Sequence, residues 1–124
     1  MPGVMNLAEI NELAAQQDAA RAAAQALADR FRAEFGDRVD WIRLFGSLAR
    51  GDWMGADESD VDVAVVLRDK SAADVDRIVK LASEGLRRTG FVFAPRIFSP
   101  DEFARLQQRE YRLARDVLEE GRIL

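Results

Sequence analysis

The chain has 124 residues, 48% hydrophobic and 32% charged, with 18 basic against 22 acidic side chains and a net charge of −4. That length and balance fit one globular domain over 1–124 and exclude a disordered chain, while the acidic excess gives no strong nucleic-acid signal. With no cysteine, disulfides, thiolate chemistry and cysteine zinc sites are excluded, and with no histidine the commonest transition-metal ligand is missing, so a metal here should be a hard cation held by oxygen: magnesium, manganese or calcium.

From Asn6 to Phe35, Leu7, Ile10, Leu13, Ala20, Ala24, Leu27, Phe31 and Phe35 recur at helical spacing, which predicts a long N-terminal helix (1–36) ending at Gly36. Its first half offers mostly small apolar residues, so it either projects or packs on a partner, a homo-oligomer included. The remainder, 37–124, reads as a sheet-and-helix core. Val39, Trp41 (with Ile42) and Leu44 predict a strand running into Gly46. Gly46 to Gly51 reads as a tight turn opening a short helix, and Asp52 to Ser59 as a polar loop. Asp60 to Leu67 is a second strand, with Val61, Val63, Val65 and Leu67 on one face and Asp60, Asp62, Ala64 and Val66 on the other. Ser71 and Asp74 form a capping-box-like start. The helix behind it carries Val75, Ile78, Val79, Ala82 and Leu86 on its apolar face and stops at Gly90. Phe91 to Phe98 is a third strand, which Pro95 assigns to an edge or a bulge. Ser99-Pro100-Asp101-Glu102 starts a last helix that runs to about Gly121. The fold class is α+β, a two-layer arrangement of a small mixed sheet flanked by helices. No apolar run approaches the ~18 residues of a membrane span. No signal-peptide pattern opens the chain, so a cytoplasmic protein without a membrane partner is expected.

Chemistry concentrates between Leu44 and Val66. Gly46 lets the backbone turn sharply and approach a ligand, and the Ser47 hydroxyl joins the free N–H groups that follow it, a set suited to phosphate. Thirteen residues on come Asp60 and then Asp62. Two apart on a strand, they share a face with Cα atoms roughly 6.5–7 Å apart, and their mutual repulsion calls for a divalent cation between them.

The stretch GSLARGDWMGADESDVDVAVV resembles the signature of the DNA polymerase beta-type nucleotidyltransferase superfamily. It is most similar to the minimal nucleotidyltransferases (MNT) that stand beside HEPN toxins. Gly46, Ser47, Ala49, Arg50, Gly51, Ser59, Asp60 and Asp62 carry the match, and the ending LARDVLEEGRIL extends it loosely. The resemblance implies that Gly46 and Ser47 bind the triphosphate, that Asp60 and Asp62 are catalytic and hold Mg2+ (or Mn2+), and that Arg50 braces the loop or reaches a phosphate. It implies transfer of a nucleotidyl group, AMP from ATP, to a hydroxyl on a partner macromolecule, with an MNT-type antitoxin as one setting and a HEPN-type toxin as the partner. One position departs from the pattern. Where active members carry a third carboxylate on the next strand, this chain has Arg96, and Asp101 and Glu102 are the nearest acids that could substitute. A cation there would repel a metal by a few kcal/mol at an effective dielectric of ~20, so a degenerate binding module is the alternative. Plainer readings stand beside these: a turn and cap at Gly46-Ser47, solvated carboxylates at Asp60 and Asp62, a solvated Arg96, and Trp53 packed over its loop rather than stacked on a base.

Overall fold

The computed structural model describes residues 4–124; of the 1–36 segment, residues 1–3 lie outside the described residues. The elements are α1 (Leu7–Phe35), a 3-10 turn (Gly36–Arg38), β1 (Val39–Phe45), α2 (Gly46–Arg50), β2 (Val61–Leu67), α3 (Ala72–Thr89), β3 (Phe93–Phe98), α4 (Pro100–Arg109), α5 (Tyr111–Arg115), a π-helical turn (Asp116–Glu120) and β4 (Arg122–Ile123). The sheet runs β3-β2-β1-β4, with β2 and β3 parallel and the other two pairings antiparallel. This is the expected mixed sheet flanked by helices.

Most elements begin and end for local reasons. The Asn6 side chain accepts from Glu9 N–H at the start of α1. Full capping boxes open α3 (Ser71 with Asp74) and α4 (Ser99 with Glu102, Pro100 at its first position), each satisfying two N–H groups that a helix leaves free. Ala20, Ala24, Leu27, Ala28, Phe31 and Phe35 of α1 and Ile78, Leu81 and Ala82 of α3 cover one face of the sheet, over Val61, Val63, Val65, Leu67, Ile42 and Leu44. A smaller cluster on the opposite face joins Phe45, Ala64 and Val66 to Phe103, Ala114 and Val117. Burying a side chain such as Phe31 or Leu81 contributes about 1.5–3 kcal/mol each.

Four expectations need correction. In β1, pairing runs Val39↔Leu67 and then Trp41↔Val66, so Asp40 is an extra residue. That bulge turns Val39, Ile42 and Leu44 to the α1 side and Trp41 to the other, where strict alternation put Trp41 with Val39. In α3 the buried face is Ile78-Leu81-Ala82, leaving Val79 and Leu86 exposed. The last helix is interrupted at Glu110, whose φ −124 and ψ 66 are not helical, and its end widens into the π-helical turn. Finally, Arg122 and Ile123 add a fourth strand beside β1. A two-residue strand has no alternation to read. It is fixed by tertiary contacts: Leu124 N–H donates to Ile42 O (2.9 Å) and Arg32 to Leu124 O (2.8 Å).

Pro95 sits where a proline does least harm. Val61 N–H donates to Val92 O and Val61 pairs with Phe93. In a parallel ladder that register points the backbone groups of Ala94 and Arg96 toward β2 and those of Phe93, Pro95 and Ile97 outward. The missing N–H of Pro95 therefore falls on the free edge. Among the described residues, no helix is long and apolar enough to cross a membrane.

Candidate active site

The predicted residues meet at one end of the sheet, on the face away from α1 and α3. Phe45 pairs with Asp62, so the strand that ends at Gly46 delivers the Gly-Ser turn beside the carboxylate. Gly46 has φ +73, and a Cβ built there would lie 2.2 Å from Asp62 Oδ2 and 3.1 Å from Cγ. The carboxylate thus rests on the glycine, and only glycine permits both this backbone and this contact. α2 follows at once. It is five residues long with Leu48 and Ala49 buried, so what it offers a ligand is the Ser47 hydroxyl and local N–H groups rather than a helix dipole.

Asp60 is exposed just before β2, and Asp62 is half-buried on its first turn of pleat. Burial raises the Asp62 carboxyl above its usual range, and the Asp60 charge raises it further; Arg96 and then Arg50 pull it back down. Neither aspartate has an ion-pair partner within 4 Å among the described residues. Two uncompensated carboxylates on one face fit a hard divalent cation whose remaining ligands come from elsewhere. The described residues contain no group of three acids that could hold a metal alone, so phosphate oxygens would have to complete the shell.

Arg96 pairs with Ala64, and Ala94 pairs with Asp62. Arg96 therefore projects on the aspartate face one step along β3, close enough for its charge to act on Asp62. Asp101 and Glu102 do not reach this end. They follow Phe98, which pairs with Val66, four strand positions or about 13 Å from the Asp62 level. Glu102 is also engaged there, capping α4 and pairing with Lys70 at 2.6 Å. Neither acid stands with Asp60 and Asp62 at this end of the sheet.

Arg50 lies 3.5 Å from Asp52 and 3.6 Å from Glu120 of the π-helical turn, so it braces α2 against the C-terminal segment while its field reaches Asp62. Trp53 is fully buried, edge-on to Phe91 at 5.8 Å between centroids; it packs under the loop. Ser59 closes that loop by accepting from Met54 N–H at 3.3 Å. Sequence reasoning missed three neighbours. Glu120 came from a helix whose end had no visible register, and Gln17 and Arg21 lie on a helix edge that reads as solvated.

A family model described as "Polymerase beta, Nucleotidyltransferase" matches residues 27–124. A Methanocaldococcus jannaschii protein named "Putative protein adenylyltransferase" is 33% identical over 93 residues, 75% of this chain and 85% of its own length. A second protein of that name and organism is 35% identical over 63 residues, 50% and 62% of the two chains. Among solved structures, a toxin-antitoxin with AMP-PNP superposes with a TM-score of 0.54 at 18% identity, covering 79% of this chain and 69% of that one, a likeness of fold. With the matched region spanning the sheet, the Gly-Ser turn and both aspartates, the chain belongs to the polymerase beta nucleotidyltransferase family.

Proposed function

We propose that this chain is a magnesium-dependent adenylyltransferase that moves AMP from ATP to a hydroxyl on a partner protein. The observation that carries this reading is the Asp62 carboxylate seated on Gly46, with Asp60 beside it and, among the described residues, no Arg or Lys within 4 Å of either. Gly46 and Ser47 would take the β- and γ-phosphates, Asp60 and Asp62 the metal, and Arg50, released from Glu120, a phosphate oxygen. A bound divalent cation would supply neutralising charge on the phosphates. The acceptor oxygen attacks the α-phosphorus, the bond to the α–β bridging oxygen breaks, pyrophosphate leaves, and the hydroxyl proton passes to solvent. With no histidine in the chain, and none of the described acids at the Arg96 position, the protein offers that proton no obvious base. The acceptor is assigned to a macromolecule because the relative at 33% identity is named a protein adenylyltransferase; a HEPN-type toxin is the partner that the sequence resemblance suggests.

The deciding experiment follows label from α-labelled ATP, with magnesium, into a lysate of the source cells, comparing wild type with Asp60→Ala. A band made only by wild type supports transfer and identifies the acceptor by size; no band with any nucleoside triphosphate rejects it. Arg96 favours a second reading, a nucleotide- or partner-binding module that no longer turns over. On that reading Arg96→Asp restores the lost carboxylate and creates label transfer that wild type lacks. An Arg96→Asp variant as inactive as its parent rejects the idea that this position alone was lost.

A further inference from the structure

Three polar residues of the otherwise alanine-rich α1 meet the backbone of α2 and the loop after it. Gln17 Nε2 donates to Trp53 O at 2.9 Å and to Gly51 O at 3.5 Å. Arg21 Nη2 donates to Leu48 O at 3.3 Å, with Asp18 3.5 Å from its Nη1. The Gln16 side chain lies against Gly55. These acceptors are ones the local chain cannot satisfy alone. A helix as short as α2 leaves its last four carbonyls without helical partners. Ser47 O accepts from the N–H groups of Gly51 (2.9 Å) and Asp52 (3.0 Å), and Leu48 O receives Arg21.

We infer that Gln17 and Arg21 are positioning residues for the nucleotide site, acting through α2. The inference rests on the nucleotide reading of Gly46, Ser47, Asp60 and Asp62. α2 joins β1 directly at its first residue, but its far end runs into a loop through Gly51 (φ +90) and Gly55 (φ +111). Burial of Leu48 and Ala49 holds α2 against the core, and beyond that and the exposed Arg50–Glu120 pair its rotation and its slide along its own axis need a further restraint. The two donors from α1 supply that restraint at the carbonyl end. They thereby hold Ser47 and Arg50, one turn apart, in register with Asp62. Small misplacements of such groups are costly to a bound reactant.

The test measures binding of a fluorescent ATP analogue with magnesium, and amide hydrogen exchange, for wild type, Arg21→Ala, Arg21→Lys, Gln17→Met and Asp62→Asn. Arg21→Ala and Gln17→Met should each weaken binding about tenfold, the scale of losing a hydrogen bond on a charged or part-buried donor. Exchange should quicken at the Gly51 and Asp52 amides and stay unchanged in β2, and Arg21→Lys should recover most of the affinity. Binding at wild-type strength in both variants, when Asp62→Asn has lost it, overturns the inference and leaves the nucleotide reading standing. Faster exchange throughout β2, or Arg21→Lys no better than Arg21→Ala, overturns it in favour of a merely structural role. A wild-type chain that binds no analogue overturns both.

Discussion

Asp62 carries charge at a cost to the fold. Its carboxyl is raised by burial first and by Asp60 second, so the folded state binds its proton more readily than the unfolded chain does. The sign follows directly: stability is lost as pH rises through the raised value, and at neutral pH the ionised group is destabilising. Asp62→Asn should therefore melt at or above the wild-type temperature in chelator. Magnesium with nucleotide should then raise the wild-type melting temperature and leave the variant unmoved, since a ligand stabilises only the state that binds it. A variant that melts well below wild type in chelator contradicts the electrostatic account. Gly46 predicts the opposite balance. Gly46→Ala should cost about 1 kcal/mol or more from its positive φ. It should damage nucleotide binding further, because the added methyl meets the movable end of Asp62 and pushes aside the carboxylate itself. Retained nucleotide affinity in a folded Gly46→Ala protein would show that the seat is unimportant.

At the level of elements, the Lys70–Glu102 pair ties the end of β2 to the start of α4. The Lys70 hydrogen bond, helped by Ser99, holds the Glu102 carboxyl down at about 2. A depressed carboxyl contributes stability above its ordinary value, lost as pH falls through the folded value. The melting-temperature gap between wild type and Glu102→Gln should hence be full above pH 4.5 and close toward about 2; a gap independent of pH would assign the effect to packing. The same elements show what a sequence exposes. β2 was legible to within its first residue, starting at Val61 rather than Asp60, because both its faces alternate without a bulge, and α3 and α4 announced themselves through Ser71 and Ser99. The candidate site was legible for the same local reason: Gly46, Ser47, Asp60 and Asp62 lie on a turn and a strand of short, strict spacing. Elements fixed by distant contacts were not legible. The Asp40 bulge and β4 each answer to a neighbour far along the chain. So do Gln17 and Arg21, whose partners lie 36 and 27 residues away.

Across the whole molecule, the C-terminal segment closes over the aspartate face of the sheet and reaches Arg50. Gly121 is its tight point, for a Cβ there would lie 2.0 Å from Val117 O and 3.1 Å from Leu44 O. These are backbone atoms that cannot swing aside, unlike the Asp62 side chain at Gly46. The sheet is bounded by β4, only two residues long, and by β3 with Pro95 on its outer register. An open edge is a template on which other chains can build intermolecular ladders, and a proline facing outward denies the incoming chain one of its anchors. The groove beside that edge, lined by Val79, Leu86 and Val92, would otherwise reward such an addition with apolar contact. Pro95→Val should leave the monomer's own ladder whole and yet make concentrated solutions prone to aggregate, seen as growing light scatter and thioflavin fluorescence at unchanged melting temperature. If the variant stays clear, the edge is guarded by something other than its proline; if it clouds, one ring closure in β3 sets how concentrated this protein can become without self-templating.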